Sequence, residues 1–193
     1  MDLAKFFGFG KDTLLEWFIQ MYHLEAIEFR DDPSIISDFP STSWLWKGSV
    51  GGTSITIPTG NSTSKFRIDG NLLYVHLGQY GGEKNFILYR PRSMDGFPSL
   101  DDRDWEARAR EGGIKLDVFV LDPDCNCDPF LNITTLRLIQ EKLRSCSEGV
   151  DAVVVSLPGV VVEFKKSAET NRVPNDMRCA EKILEIARKT AGQ

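Results

Sequence analysis

The chain has 193 residues, of which 41% are hydrophobic and 26% charged, a composition typical of a globular protein with one well-filled core. Its formal net charge of −5 disfavours non-specific binding of nucleic acid, because affinity for phosphates comes from clustered Lys and Arg. The sequence has no apolar run of about 18 residues, so we expect no membrane span.

The N-terminal half predicts one helix and a set of antiparallel strands. A capping box at Thr13 to Glu16 predicts a helix start, and the apolar run after it extends the helix to about Glu28. Residues 30–42, rich in Pro, Asp and Ser, predict a connection. An antiparallel β-meander follows over residues 43–91, with turns at glycine-containing positions. Its strands are expected at 43–47, 53–57, 64–68, 71–77 and 85–90.

The C-terminal half alternates helix and strand. We predict a polar helix at 101–111, a strand at 114–121, a helix at 132–146, a β-hairpin at 150–165 and a last helix at 175–190. Seven of its apolar residues should be buried: Leu136, Ile139, Leu143, Val153, Val155, Ile183 and Leu184.

These elements predict an α+β (mixed α/β) fold, with helices packed on a mixed sheet. No long flexible linker divides the chain, which favours a single domain over residues 1–193. Its parts are the N-terminal helix and connection (1–42), the meander (43–91) and the α/β part (101–193).

The cysteines indicate a reducing compartment, and hence a cytoplasmic protein. Cys146 and Cys179 lie on predicted helices and are expected to be buried free thiols. Cys125 and Cys127 are too close in sequence to bridge easily.

Three ionisable residues interrupt the apolar hairpin, namely Asp151, Glu163 and Lys165. Buried charge is unfavourable unless it is paired or binds a metal. With a three-residue loop at 157–159, Asp151 faces Lys165 and Glu163 faces Val153, so all three charges share one face. A two-residue loop would instead point the two acids to opposite faces. On one face, two carboxylates would suit Mg²⁺, and Lys165 would orient the attacking water.

This pattern resembles the PD-(D/E)xK nuclease superfamily, in particular its resolvase-like members, over residues 132–190. The resemblance rests on Gly149 to Asp151, the Val-rich strand, Val162 to Lys165, and the following helix. It implies that Asp151 and Glu163 bind Mg²⁺ or Mn²⁺ and that Lys165 is catalytic on nucleic acid. An acid on the preceding helix, Glu141, would complete the site. The chain departs from the family pattern because no proline precedes Asp151.

A second interpretation makes these charges structural. Asp151 would end a turn, Glu163 and Lys165 would lie on a solvated strand edge, and Glu141 would pair with Arg137 at i,i+4. The chain would then be a non-catalytic partner- or ligand-binding module, such as an immunity, sensing or regulatory protein.

The loop after the strand at 114–121 is the alternative ligand site, since α/β proteins often bind ligands at such loops. It opens like a calcium loop but lacks the glycine and the final Glu of an EF-hand. Its polar residues are Asp122, Asp124, Asn126 and Asp128.

Overall fold

The computed structural model describes residues 13–28, 44–59, 72–78, 87–91, 112–120, 127–156 and 159–192. Within these ranges lie helices α1 (Thr13–Met21), α2 (Ile133–Arg144) and α3 (Val173–Thr190), and a 3₁₀ helix at Asp128–Leu131. The strands are β1 (Glu25–Glu28), β2 (Trp44–Val50), β3 (Thr53–Thr59), β4 (Leu72–Gly78), β5 (Ile87–Pro91), β6 (Leu116–Val120), β7 (Val150–Val155) and β8 (Gly159–Lys165). The predicted α+β fold class is confirmed.

The eight strands form one sheet in the order β1-β2-β3-β4-β8-β7-β5-β6. Every neighbouring pair is antiparallel, so the expectation of a mixed sheet is wrong. Strands β2 and β3 pair as in the predicted meander. Strand β3 then pairs directly with β4, where the prediction placed the strand at 64–68 between them, and β5 pairs with β6 and β7 instead of β4. The β7–β8 hairpin fills the place between β4 and β5, which joins strands from both halves of the chain.

One face of the sheet, here the helix face, packs against all three helices and holds the main core. The seven residues predicted to be buried all belong to this core and are at most 4% exposed, which confirms that prediction. Phe164 of β8 is fully buried there, with its ring centroid 5.7 Å from that of Phe18 of α1.

The opposite face, here the Glu163 face, is more polar. It carries a smaller apolar cluster of Tyr74, Leu88, Ala152, Val154 and Val161. Alternation along the strands places several buried polar side chains on this face as well. They are Thr56, His76, Asp117 and Glu163. Burial lowers the pKa of His76 to about 3, so its imidazole is neutral near pH 7.

The N-terminal helix is shorter than predicted. It ends at Met21, after which the chain turns through His23, whose φ of 50° is uncommon for a residue other than glycine. Residues Glu25–Glu28 then form an edge strand on β2. The expected strand at 64–68 and helix at 101–111 lie outside the described residues. None of the helices in the described part of the chain is both long and apolar enough to cross a bilayer.

The cysteines follow the prediction only in part. Cys146 and Cys179 are free, with Cys179 buried and Cys146 half-buried. Cys127 takes part in a disulfide bond whose partner lies outside the described residues. A disulfide at Cys127 is not what the close spacing of Cys125 and Cys127 predicts.

Candidate functional site

A bulge in β7 places the two predicted metal ligands on one face of the sheet. From Ala152 to Val155 the hairpin has the register of a two-residue loop. If this register continued to Asp151, the side chains of Asp151 and Glu163 would lie on opposite faces of the sheet. The register shifts between Val150 and Ala152, so Asp151 is an extra residue on β7. Such a bulge re-aims a side chain. Asp151 thereby joins Glu163 on the same face.

Arg90 of β5 lies between these two acids. Its Nη2 atom is 2.9 Å from Asp151 Oδ2 and 3.6 Å from Glu163 Oε2. The two carboxylates are therefore neighbours around one cation. The side chain of Glu163 is 6% exposed, whereas those of Asp151 and Arg90 are 26% and 38% exposed. These three residues, here the charge cluster, run from the protein interior to solvent.

The charge cluster belongs to a polar row that crosses five adjacent strands. Tyr74 of β4 is the cross-strand partner of Glu163, and Asp117 of β6 is the partner of Arg90. Tyr74 and Asp117 are each 7% exposed. Directly opposed residues have Cβ atoms about 4.5–5.5 Å apart, so neighbours in this row interact. The row holds three acids and one arginine, and it is acidic when all of them are ionised.

Burial raises the pKa of Glu163 to about 7. The Arg90 cation opposes this shift, and the negative charge of Asp151 adds to it. The effect of burial on the Glu163 pKa is larger than that of the Arg90 cation, because Arg90 is itself more exposed and is shared with Asp151. Glu163 therefore changes its protonation state close to neutral pH.

The raised pKa predicts that the free energy of unfolding falls as the pH rises from about 4.5 to about 7. In this window the native chain keeps a proton on Glu163 that the unfolded chain has released, so raising the pH removes stability. Relative to Glu163→Gln, which cannot titrate, we expect the wild type to lose about 3 kcal/mol across the window. Urea denaturation at several pH values measures both proteins.

The matched control for this experiment is Glu169→Gln, because Glu169 is exposed and lies outside the sheet. Its unfolding free energy should follow the wild-type pH profile. Identical pH slopes for the wild type and Glu163→Gln would contradict the assigned protonation of Glu163.

The structure does not bring Lys165 and Glu141 to the carboxylates. Lys165 is exposed at the end of β8, and its Nζ donates to the carbonyl oxygen of Glu148 at 3.0 Å. Glu141 is exposed on α2, which packs on the helix face, so the sheet separates it from Glu163. Arg137, the expected partner of Glu141, donates instead to the carbonyl oxygen of Gly112.

The alternative ligand loop is mostly outside the described residues, which include only Asp128 of its four polar positions. Asp128 is exposed and begins the 3₁₀ helix. Within the described ranges, no group of three or more His, Cys, Asp or Glu residues is arranged to hold a metal ion. Asp151 and Glu163 supply two carboxylate ligands at most, and both contact Arg90.

Sequence reasoning missed Arg90, although a signal for it exists. Arg90 follows the apolar residues Ile87 to Tyr89 within one short strand. A cation in an apolar strand requires a partner for the same reason that Asp151 and Glu163 do. The acid that Arg90 contacts depends on the pairing of β5 with β7. No local sequence pattern reveals this pairing.

Comparison with known proteins identifies a similar fold but no family. No family model and no curated protein matches the chain. The fold is similar to that in the crystal structure of the mycobacterial trehalose monomycolate transport factor A, TtfA, with a TM-score of 0.50. The match covers 93% of this chain and 95% of that chain, at 9% sequence identity, so the similarity concerns the fold alone.

Proposed function

We propose that this chain is a non-catalytic binding module and that the charge cluster is part of its binding surface. The observation that carries the proposal is the position of Arg90 Nη2, within 4 Å of oxygens from both Asp151 and Glu163. These are the oxygens that a nuclease would offer to its metal. A guanidinium already beside them offsets part of the same negative charge and competes with Mg²⁺.

The charge cluster has free hydrogen-bonding capacity for a polar partner. The Nε atom of Arg90 is buried, and none of the described residues accepts a hydrogen bond from it. A buried donor without a partner costs free energy, whereas the rest of the Arg90 side chain, 38% exposed, is open to a partner. The carboxylate of Asp151 is one quarter exposed and accepts hydrogen bonds. An amide can donate to the Asp151 carboxylate and accept from the exposed part of the Arg90 guanidinium.

The fold comparison agrees with this proposal. TtfA is named a transport factor, and this name refers to transport and not to a catalysed reaction. At 9% identity, the chemistry of its cargo is not carried over to this chain.

A Mg²⁺-dependent nuclease is the second candidate, and one observation favours it. The bulge at Asp151 places both carboxylates on one face, as the PD-(D/E)xK resemblance requires. For catalysis, Arg90 would have to leave the carboxylates, and Lys165 would have to leave the carbonyl of Glu148. Both changes cost hydrogen bonds to charged groups, which the binding module retains.

The two functions predict opposite results in a cleavage assay. We expect no Mg²⁺- or Mn²⁺-dependent cleavage of single- or double-stranded DNA or RNA above that of Glu163→Ala. Isothermal titration with Mg²⁺ should give no binding heat at millimolar concentration, because Arg90 already contacts both carboxylates. Cleavage that requires Mn²⁺ and is lost in Glu163→Ala would establish the nuclease and remove the binding module.

The binding proposal has its own positive test. Amide-bearing fragments, beginning with acetamide, are titrated into the labelled protein and followed by NMR. We expect the largest shifts at Arg90 and Asp151, and at least a fivefold weaker affinity in Asp151→Asn. Glu185→Gln, an exposed change on α3, is the control and should bind like the wild type. Shifts confined to other parts of the sheet would contradict this site.

A further inference from the structure

Two free thiols meet where the end of α2 approaches α3. Cys146 lies two residues after α2, and Cys179 lies in the second turn of α3. The Cys146 thiol donates to the carbonyl oxygen of Lys142 at 3.6 Å, and the neighbouring Cys179 thiol contributes to raising its pKa. Ser145 Oγ lies 3.2 Å from Cys179 Sγ, so the residue before Cys146 contacts the Cys179 thiol directly.

Side chains around the junction hold this arrangement. Asn175 Nδ2 donates to the carbonyl oxygen of Ser145 at 3.2 Å and approaches Cys179 Sγ at 3.9 Å. The buried carboxylate of Asp176 accepts from both Ser147 N and Ser147 Oγ, at 2.7 and 2.6 Å. The segment after α2 is therefore bound to the first turns of α3 on both sides of the thiols.

Only one thiol of the pair reaches an open space. A cavity of about 600 Å³ lies at this junction, and Cys146 is part of its wall. Cys179 is 8% exposed and is not part of this wall. The wall also carries charged residues of both signs: Glu148, Lys165, Glu169 and Arg172. A small, charged peptide-like molecule can enter this cavity and reach Cys146 first.

We propose that Cys146 and Cys179 form a reversible disulfide site, oxidised through the cavity by a low-molecular-weight disulfide such as glutathione disulfide. In the first step, the Cys146 thiolate attacks one sulfur of the oxidant. The sulfur–sulfur bond of the oxidant breaks, one small thiolate leaves, and a mixed disulfide remains on Cys146.

In the second step, the Cys179 thiolate attacks Cys146 Sγ and releases the second small thiolate. The two protons given up by the cysteines end on the two small thiols. The cysteines are oxidised by two electrons and the oxidant is reduced by two.

The environment makes this exchange slow. Burial and the neighbouring Cys179 thiol raise the pKa of Cys146, and the Asp176 carboxylate contributes in the same direction. Among the charged groups of the cavity wall, Lys165 and Arg172 oppose this effect, whereas Glu148 and Glu169 add to it. The thiolate is therefore scarce at neutral pH, and the rate should rise about tenfold for each pH unit.

Peptide mapping tests the site on the full chain. The wild type is incubated overnight with glutathione disulfide at pH 8.5, alkylated with iodoacetamide, digested without reductant and analysed by mass spectrometry. Besides the disulfide of Cys127, which is present before oxidation, we expect a new cross-linked species that joins the peptides of Cys146 and Cys179 and separates after treatment with dithiothreitol.

Two variants distinguish this site from general thiol oxidation. Cys179→Ser should retain a glutathione adduct on Cys146, because no second thiol displaces it. Cys146→Ser should leave Cys179 free for alkylation after unfolding, since Cys179 is buried. A lasting glutathione adduct on wild-type Cys146, or two alkylated cysteines after overnight oxidation, would overturn the proposal.

Discussion

Replacing Arg90 with methionine is expected to destabilise the protein by about 3 kcal/mol at pH 8 and by about 1 kcal/mol at pH 5. Methionine keeps an apolar stem but removes the cation shared by Asp151 and Glu163. At pH 8 the buried Glu163 carboxylate loses its counter-charge. At pH 5 it is already protonated, because its pKa is about 7, and only the more exposed Asp151 loses a partner.

Urea denaturation at the two pH values measures this difference, and a double-mutant cycle locates its origin. In Arg90→Met combined with Glu163→Gln, the extra loss at pH 8 should disappear, because no buried charge remains to be neutralised. Arg144→Met, an exposed change in the last turn of α2, is the control and should cost less than 0.5 kcal/mol. An equal loss at both pH values in Arg90→Met would show that Arg90 and Glu163 are not coupled.

The elements that could be predicted from the sequence are those defined by local periodicity. The apolar spacing of α2 and α3 and the two Val-rich runs of the hairpin each extend over many residues, so their type and burial follow from one segment at a time. The hydrophobic effect selects the same buried face whichever partner covers it, which is why Leu136 and Ile183 could be assigned to the core.

The order of the strands could not be predicted in the same way. β4 and β5 are consecutive in the described part of the chain, yet β8 and β7 lie between them in the sheet. Strands that are far apart in the sequence pair according to how the whole sheet packs. The turn residues between consecutive strands do not reveal which distant strand will be the neighbour. The prediction of a meander is therefore correct for the pairing of β2 with β3, whereas β3 pairs directly with β4 and β4 with β8.

The candidate site depends on two such non-local features. The bulge at Asp151 occurs without a glycine at that position, and it alone places the Asp151 and Glu163 side chains on one face. Arg90 reaches them because β5 pairs with β7, on which Asp151 lies. The sequence indicated that buried charge required a partner, and the predicted partner was a metal. The tertiary structure supplies a guanidinium.

Replacing Phe164 with alanine should reduce the free energy of unfolding by about 4 kcal/mol, the upper part of the range for core truncations. Phe164 is fully buried on the helix face beside Phe18, and its removal leaves a cavity between β8 and α1. Phe119→Ala is the control, because Phe119 is half-buried in the smaller cluster on the Glu163 face, and about 1.5 kcal/mol is expected. Urea denaturation monitored by tryptophan fluorescence measures both. Equal losses would contradict the assignment of the main core to the helix face, and with it the position of Glu163 on the opposite face.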